Sequence, residues 1–183
     1  MALHKQPEVF RFVGTARKYC AALESPAHDR EVWLERVLSA LASLYAAAFG
    51  LPDVSLADDD KVAPDNFRPR QEEWGESWNR LGEILGESRF HWAYFDVTEP
   101  SATQELAMLH DLADDLADIY CDVQRGLRAW DANAEGYVVH AVWNWRFSFQ
   151  CHWGAHAVSA LRALHRLAYW RGLGTSNAKE NHA

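Results

Sequence analysis

Apolar residues recur at helical spacing along most of the chain, and one stretch does so with particular clarity. Over 109–130, Leu109, Leu112, Leu116, Ile119, Tyr120, Val123, Leu127 and Trp130 share an arc of roughly 100°, the stripe of a core-facing helix. Asp111, Asp114, Asp115, Asp118 and Asp122 fall on the far side as an acidic band. The pattern predicts a central helix with one face for the core and one face that calls for positive charge.

Other stretches fit around it. Pro7 suits a helix start and is followed by Val9, Phe12, Val13, Ala16, Cys20 and Leu23 at helical spacing. Ser25-Pro26 reads as an N-cap with an N1 proline, opening a second helix with a stripe of Leu34, Val37, Leu38, Leu41, Tyr45 and Ala48 that stops at Gly50. The short connection predicts that these two are antiparallel neighbours. Residues 51–68 have two prolines, five aspartates and no period, and read as a mobile acidic linker.

Pro69 starts a third helix, with Trp74, Trp78, Leu81 and Leu85 on one face and Gly75, Gly82 and Gly86 on an adjacent strip. That bare backbone accommodates either a close helix or large ring, or simply marks a weak helix that needs tertiary support. Residues 89–100 read as an aromatic crossover with a few extended residues. Ser101 and Gln104 fit a capping box at the start of the central helix. The longest helix spans 134–170, with Val138, Val142, Trp145, Phe149, Trp153, Ala160, Leu164 and Leu167 on its main stripe and Trp143, Phe147 and Leu161 away from it. Apolar residues on more than one side imply a helix surrounded by others, and Gly154 is a place for it to bend. The expectation is an all-α, single-domain bundle of about five main helices over 1–171, with 109–130 and 134–170 as an antiparallel central pair and a frayed tail at 172–183.

Composition narrows the options. The chain has 183 residues, enough to fold without metals or disulfides, and 49% of them are hydrophobic. A formal charge of -8 argues against nucleic acid as a partner. The longest uncharged run, 37–51, is short for a bilayer, and the N-terminus lacks the apolar core of a signal peptide. The expected localisation is cytoplasmic. Cys20, Cys121 and Cys151 are widely spaced and read as small buried thiols. Nine tryptophans exceed what a core of this size buries completely, so some are expected to line grooves or an interface with a protein partner or a second copy.

Two segments, LADDLADIYCDVQRGL at 112–127 and WNWRFSFQCHWGAHAVSALRALH at 143–165, resemble a bacterial family known as a domain of unknown function, the one numbered 5063. The resemblance is specific over about 90–168 and looser before it. It implies an all-helical bundle and no reaction. The matching positions are Asp114, Asp115, Asp118, Asp122, Arg146, His152, Trp153, Gly154, His156, Arg162 and His165.

The aspartate band carries the candidate chemistry. Its i,i+4 pairs repel on an isolated helix, so solvent counterions, basic side chains of a neighbour or a divalent metal must lie opposite. Arg146 and His156 project into the stripe of the last helix, where an unpaired charge is costly, so Arg146 or Arg162 is expected to pair with Asp115, Asp118 or Asp122. His152 and His156 have the spacing of two ligands on one helix, but no Glu-x-x-His accompanies them, and a hydrogen-bonded His156 is the simpler reading. His165 reads as a helix-end cation or partner contact.

Asp114-Asp115-x-x-Asp118 with Glu73-x-x-Glu76 looks like the magnesium site of all-helical nucleoside triphosphate pyrophosphohydrolases. No lysine or arginine cluster follows for the phosphates, and no nucleophile motif is present. The leading expectation is therefore a non-enzymatic interaction or regulatory module. The alternative is a magnesium-dependent nucleotide pyrophosphohydrolase using Asp115, Asp118, Glu73 and Glu76.

Overall fold

The computed structural model describes residues 3–56, 67, 69–94 and 107–170. Among these the chain forms α1 (Pro7–Glu24), α2 (Arg30–Ala48), α3 (Gln71–Leu85), β1 (Phe90–Tyr94), β2 (Ala107–Asp111), α4 (Leu112–Asp131), α5 (Glu135–Ser148) and α6 (Gly154–Tyr169). A single π-helical segment, Phe149–Trp153, joins α5 to α6. The fold is thus five main helices, the last carrying a π segment, plus one small hairpin. Most of the predicted linker, the proposed Ser101–Gln104 capping box and the tail beyond 170 lie outside the described residues.

Helix α4 sits at the centre and packs against α1, α3, α5 and α6, while α2 packs on α1 and α6. Its stripe works as predicted from Leu112 onward: Leu112, Leu116, Ile119 and Val123 are fully buried and Leu127 nearly so. The helix starts later than the periodicity implies. Asp111 is the N-cap, its Oδ1 accepting from the Ala113 backbone N–H at 2.9 Å, and Leu109 belongs to β2, where it is 56% exposed. Residues 107–111 pair instead as an antiparallel strand with 90–94, Leu109 opposite Trp92.

The second helix also starts later than expected. Ser25 ends α1, its N–H bonding the Ala21 carbonyl, and Asp29 caps α2 by accepting from the N–H groups of Glu31 and Val32. A carboxylate here satisfies two backbone donors that the more distant Ser25 does not reach.

As composition implied, only some of the nine tryptophans are completely buried. Trp33, Trp145 and Trp153 are at most 1% exposed. Two of their indoles are satisfied by backbone carbonyls, Trp145 on Val123 at 3.1 Å and Trp153 on Trp145 at 3.2 Å. Gly126 makes room for the Trp145 ring, which occupies the space a Cβ would take. Trp92 and Trp170, by contrast, are 68% and 56% exposed. The three cysteines are free, with Cys20 buried, Cys121 half-buried and Cys151 exposed, so the buried-thiol expectation fails for Cys151, which stands on the outward side of the π segment.

The π segment adds a residue to the turn and so rotates everything after it relative to α5. Gly154 permits this, since a Cβ there would collide with the Phe149 carbonyl oxygen and press on its ring. Gly154→Ala is expected to lower stability by about 1–3 kcal/mol in chemical denaturation, the usual cost of overpacking. A change within about 0.5 kcal/mol, as at an ordinary surface site, would contradict a glycine-dependent π turn.

Candidate metal centre

In the acidic band of α4 only Asp115 is buried, and Asp111, Asp114, Asp118 and Asp122 are partly buried. The band is partly covered by α3, α6 and the hairpin, and each of four aspartates meets a specific donor. Asp111 Oδ2 accepts from the Trp78 indole at 3.2 Å and lies 3.5 Å from Arg89 Nε. Asp115, only 3% exposed, has Oδ1 2.7 Å from His156 Nδ1. Asp118 Oδ1 accepts from the Trp74 indole at 2.8 Å, and its Oδ2 is 3.6 Å from His156 Nε2. Asp122 Oδ2 lies 2.8 Å from His152 Nδ1. Asp114 is half-buried, and burial followed by the neighbouring charges of Asp118 and Asp115 pushes its carboxyl up.

The expected arginines are elsewhere. Arg146 Nη1 donates to the Leu51 carbonyl at 2.7 Å, with its Nε 3.7 Å from Asp53. Arg162 is exposed, and His165 is exposed with its ring 5.2 Å from that of Tyr169. The wheel drawn over one uninterrupted helix fails at the π segment: Arg146 precedes it, while His152 lies within it and His156 after it, and these two reach the aspartates of α4.

Glu73 and Glu76 are not gathered with the aspartates. Glu73 is ion-paired with Arg128 and bonded by Arg70 at 3.2 Å, and these guanidiniums hold its carboxyl below the usual range. Glu76 lines a separate pocket with Glu24, Arg80 and Tyr120. Neither joins a group of three potential metal ligands among the described residues.

Two such groups do form. One is Asp118, His152 and His156; the other is His91, His110 and Asp115, and in each the ligand atoms lie within 4.8 Å of one another. In the first, the Nδ1 of each imidazole is tied to a carboxylate, Asp122 or Asp115, which leaves the Nε2 atoms as the free ligand nitrogens. Asp118 is oriented in turn by Trp74. An outer carboxylate on each histidine is the usual way protein metal ligands are oriented and made more basic.

This group opens onto a pocket of about 300 Å³ whose lining includes Arg70, Trp74, Asp118, Cys121, Arg125 and His152. Arg125 Nε is buried there without a hydrogen-bond partner among the described residues. Burial, then the charges of Asp118 and Asp122, push the Cys121 thiol up to about 12, so it stays protonated and is no nucleophile.

His91, His110 and Arg125 were not singled out from the sequence, and Trp74 and Trp78 were read there only as an apolar helix face. His91 and His110 become direct cross-strand partners through strand register, which the residue pattern of AMLHD does not signal. Of the glycine strip Gly75, Gly82 and Gly86, only Gly82 has an occupant. Space for a Cβ at Gly82 is taken by the Arg89 guanidinium, which stacks over Trp78 at 4.8 Å and reaches Asp111.

The family described as a domain of unknown function, DUF5063, matches residues 4–170. The chain belongs to the DUF5063 family. No curated protein matches it. Among solved structures, this DUF5063 protein is similar to the crystal structure of protein BF1032 from Bacteroides fragilis, a structural-genomics target. The identity is 23% over 91% of this chain and 96% of that one, with a TM-score of 0.76. That likeness shows the fold. None of the helices described is long and apolar enough to cross a membrane.

The hydrogen bond to Asp115 raises the His156 pKa above its ordinary 6.5, opposed by burial and aided by the charges of Asp115, Asp118 and Asp114. In metal-free protein the resulting stabilisation is complete below the ordinary imidazole value and fades as pH rises through the elevated one. With a chelator present, the gap in thermal midpoint between wild type and His156→Gln should be widest at about pH 6 and narrow towards about pH 9. A gap that is flat or widens with pH would contradict a charged His156 against Asp115.

Proposed function

We propose that this DUF5063 protein is a divalent transition-metal-dependent hydrolase acting on a small anionic substrate. The observation that carries the reading is the triad of Asp118, His152 and His156 with both histidines anchored by carboxylates through Nδ1. Three protein ligands would leave a coordination position for water, and a bound ion of the zinc type would lower the pKa of that water to about 7. Mixed imidazole and carboxylate ligands favour zinc, manganese, iron or cobalt over magnesium. The pocket beside the triad supplies two guanidiniums, Arg70 and Arg125, suited to a carboxylate or phosphate on the substrate. The magnesium pyrophosphohydrolase reading draws less support, because Glu73 is engaged by Arg128 and Glu76 lines another pocket.

A second reading, an interaction module, is favoured by one observation. Trp92 and Leu109 face each other across the hairpin at 68% and 56% exposure. Such a patch fits a protein partner or a second copy. Under that reading Trp92→Glu would abolish a concentration-dependent association seen by sedimentation.

The hydrolase reading is tested with the full chain stripped by chelator. Zn²⁺ or Mn²⁺ should raise the thermal midpoint in wild type at concentrations where Mg²⁺ does not, and Asp118→Asn should lose the shift. The loaded protein should then hydrolyse members of a panel of phosphate and carboxylate esters, with activity lost in the same variant. Absence of a shift with any divalent cation would end this reading.

A further inference from the structure

Beyond the triad, the second cluster holds polar atoms that the fold leaves unsatisfied. Asp115 is 3% exposed, and while Oδ1 meets His156, its Oδ2 is buried with no hydrogen-bond partner among the described residues. The Nε2 of His110 is likewise buried and unpartnered. His91 completes the group from the strand opposite, its Nε2 3.2 Å from Ser159 Oγ on α6 and its Nδ1 3.5 Å from the Arg89 carbonyl. Buried orphaned donors and acceptors of this kind are rare and costly. Here three potential ligand residues, two carrying such orphans, converge on one point.

The origin of the convergence is strand register. His91 and His110 are direct partners in the antiparallel pair, with their rings 5.8 Å apart, so both imidazoles leave the ribbon on one face while Trp92 and Leu109 share the other. The hairpin runs directly into the first turn of α4, which supplies Asp115 one turn along. A two-stranded ribbon is marginal by itself and needs something to hold it against a neighbour.

We propose that His91, His110 and Asp115 hold a second divalent transition-metal ion that fastens the hairpin to α4. Two imidazoles and one carboxylate form a borderline-soft set that suits zinc, cobalt or nickel, and a water or the Ser159 hydroxyl region completes the surroundings. The ion supplies the positive charge that Asp115 Oδ2 lacks. It also lies on the far side of the carboxylate that anchors His156, so the two centres share Asp115 as a common wall. The second ion does not require the hydrolytic reading: its ligands are separate from Asp118 and His152.

The test is metal content of the full chain after reconstitution with Zn²⁺ and removal of loosely bound ion, alongside hydrogen exchange of the hairpin amides. Wild type should retain two ions, and His110→Gln, His91→Ala and His152→Ala should each retain one. Zinc should protect the hairpin amides in wild type and in His152→Ala, and this protection should be lost in His110→Gln. Two different histidine variants guard against one that merely misfolds, and the exchange pattern of α4 reports whether each is folded.

Other outcomes are equally decisive. One ion in wild type that survives His110→Gln and is lost in His152→Ala would overturn this proposal and leave the first centre standing. One ion lost in His110→Gln and kept in His152→Ala would support it and remove the first centre. A single ion lost in both variants would mean one shared site and overturn the second ion, and no retained ion would overturn both.

Discussion

The acidic face of α4 governs this structure, because four of its carboxylates are drawn under neighbouring elements where charge must be answered at short range. An ionised carboxylate as deeply buried as Asp115 costs several kcal/mol unless it is paired and hydrogen-bonded. The answer is distributed: indole N–H groups from α3 for Asp111 and Asp118, imidazoles from the last helix for Asp115, Asp118 and Asp122, and one guanidinium for Asp111. Most of these donors are neutral or titratable rather than permanently charged. That choice separates a site able to accept a cation from a closed ion-pair network, since an arginine at the same place would occupy it permanently.

The geometry of that answer depends on a local departure from regular helix. With α5 and α6 in one straight helix, Arg146 would be a reasonable partner for the aspartates. His152 in the π segment and His156 just after it take the position instead, and Arg146 turns to the Leu51 carbonyl. Gly154 is the residue that admits the segment. Packing of Trp145 over Gly126 and of Trp153 beneath it fixes the same stretch from the core side, so one run of sequence sets both the core and the ligand face. π segments of this sort recur at functional sites in other proteins.

Much of the fold was legible in residue periodicity. Leu112, Leu116, Ile119, Val123 and Leu127 repeat at 3.6 residues and are the centre of the core, and the need for counter-charge opposite the aspartates followed from their spacing. The histidines at i,i+4 were visible too. What periodicity did not convey was competition: strand pairing took Leu109 and His110 out of the helix, and Asp29 displaced Ser25 as a cap. Nor did it convey the identity of the counter-charge, because a single π turn has almost no sequence signature beyond its glycine. His91 and His110 are 19 positions apart in the chain. Their meeting depends on register, which only the pairing of the two strands reveals.

The central claim is that Asp118, His152 and His156 hold a transition-metal ion through imidazole Nε2 atoms whose Nδ1 positions are tied to aspartates. The most direct measurement is X-ray diffraction from zinc-loaded crystals of the full chain on either side of the zinc absorption edge. The account predicts an anomalous peak at about 2.0–2.2 Å from both Nε2 atoms and an Asp118 oxygen, with the Asp115 and Asp122 contacts to Nδ1 retained. A peak confined to surface residues, or imidazoles turned so that Nδ1 faces the metal, would contradict it.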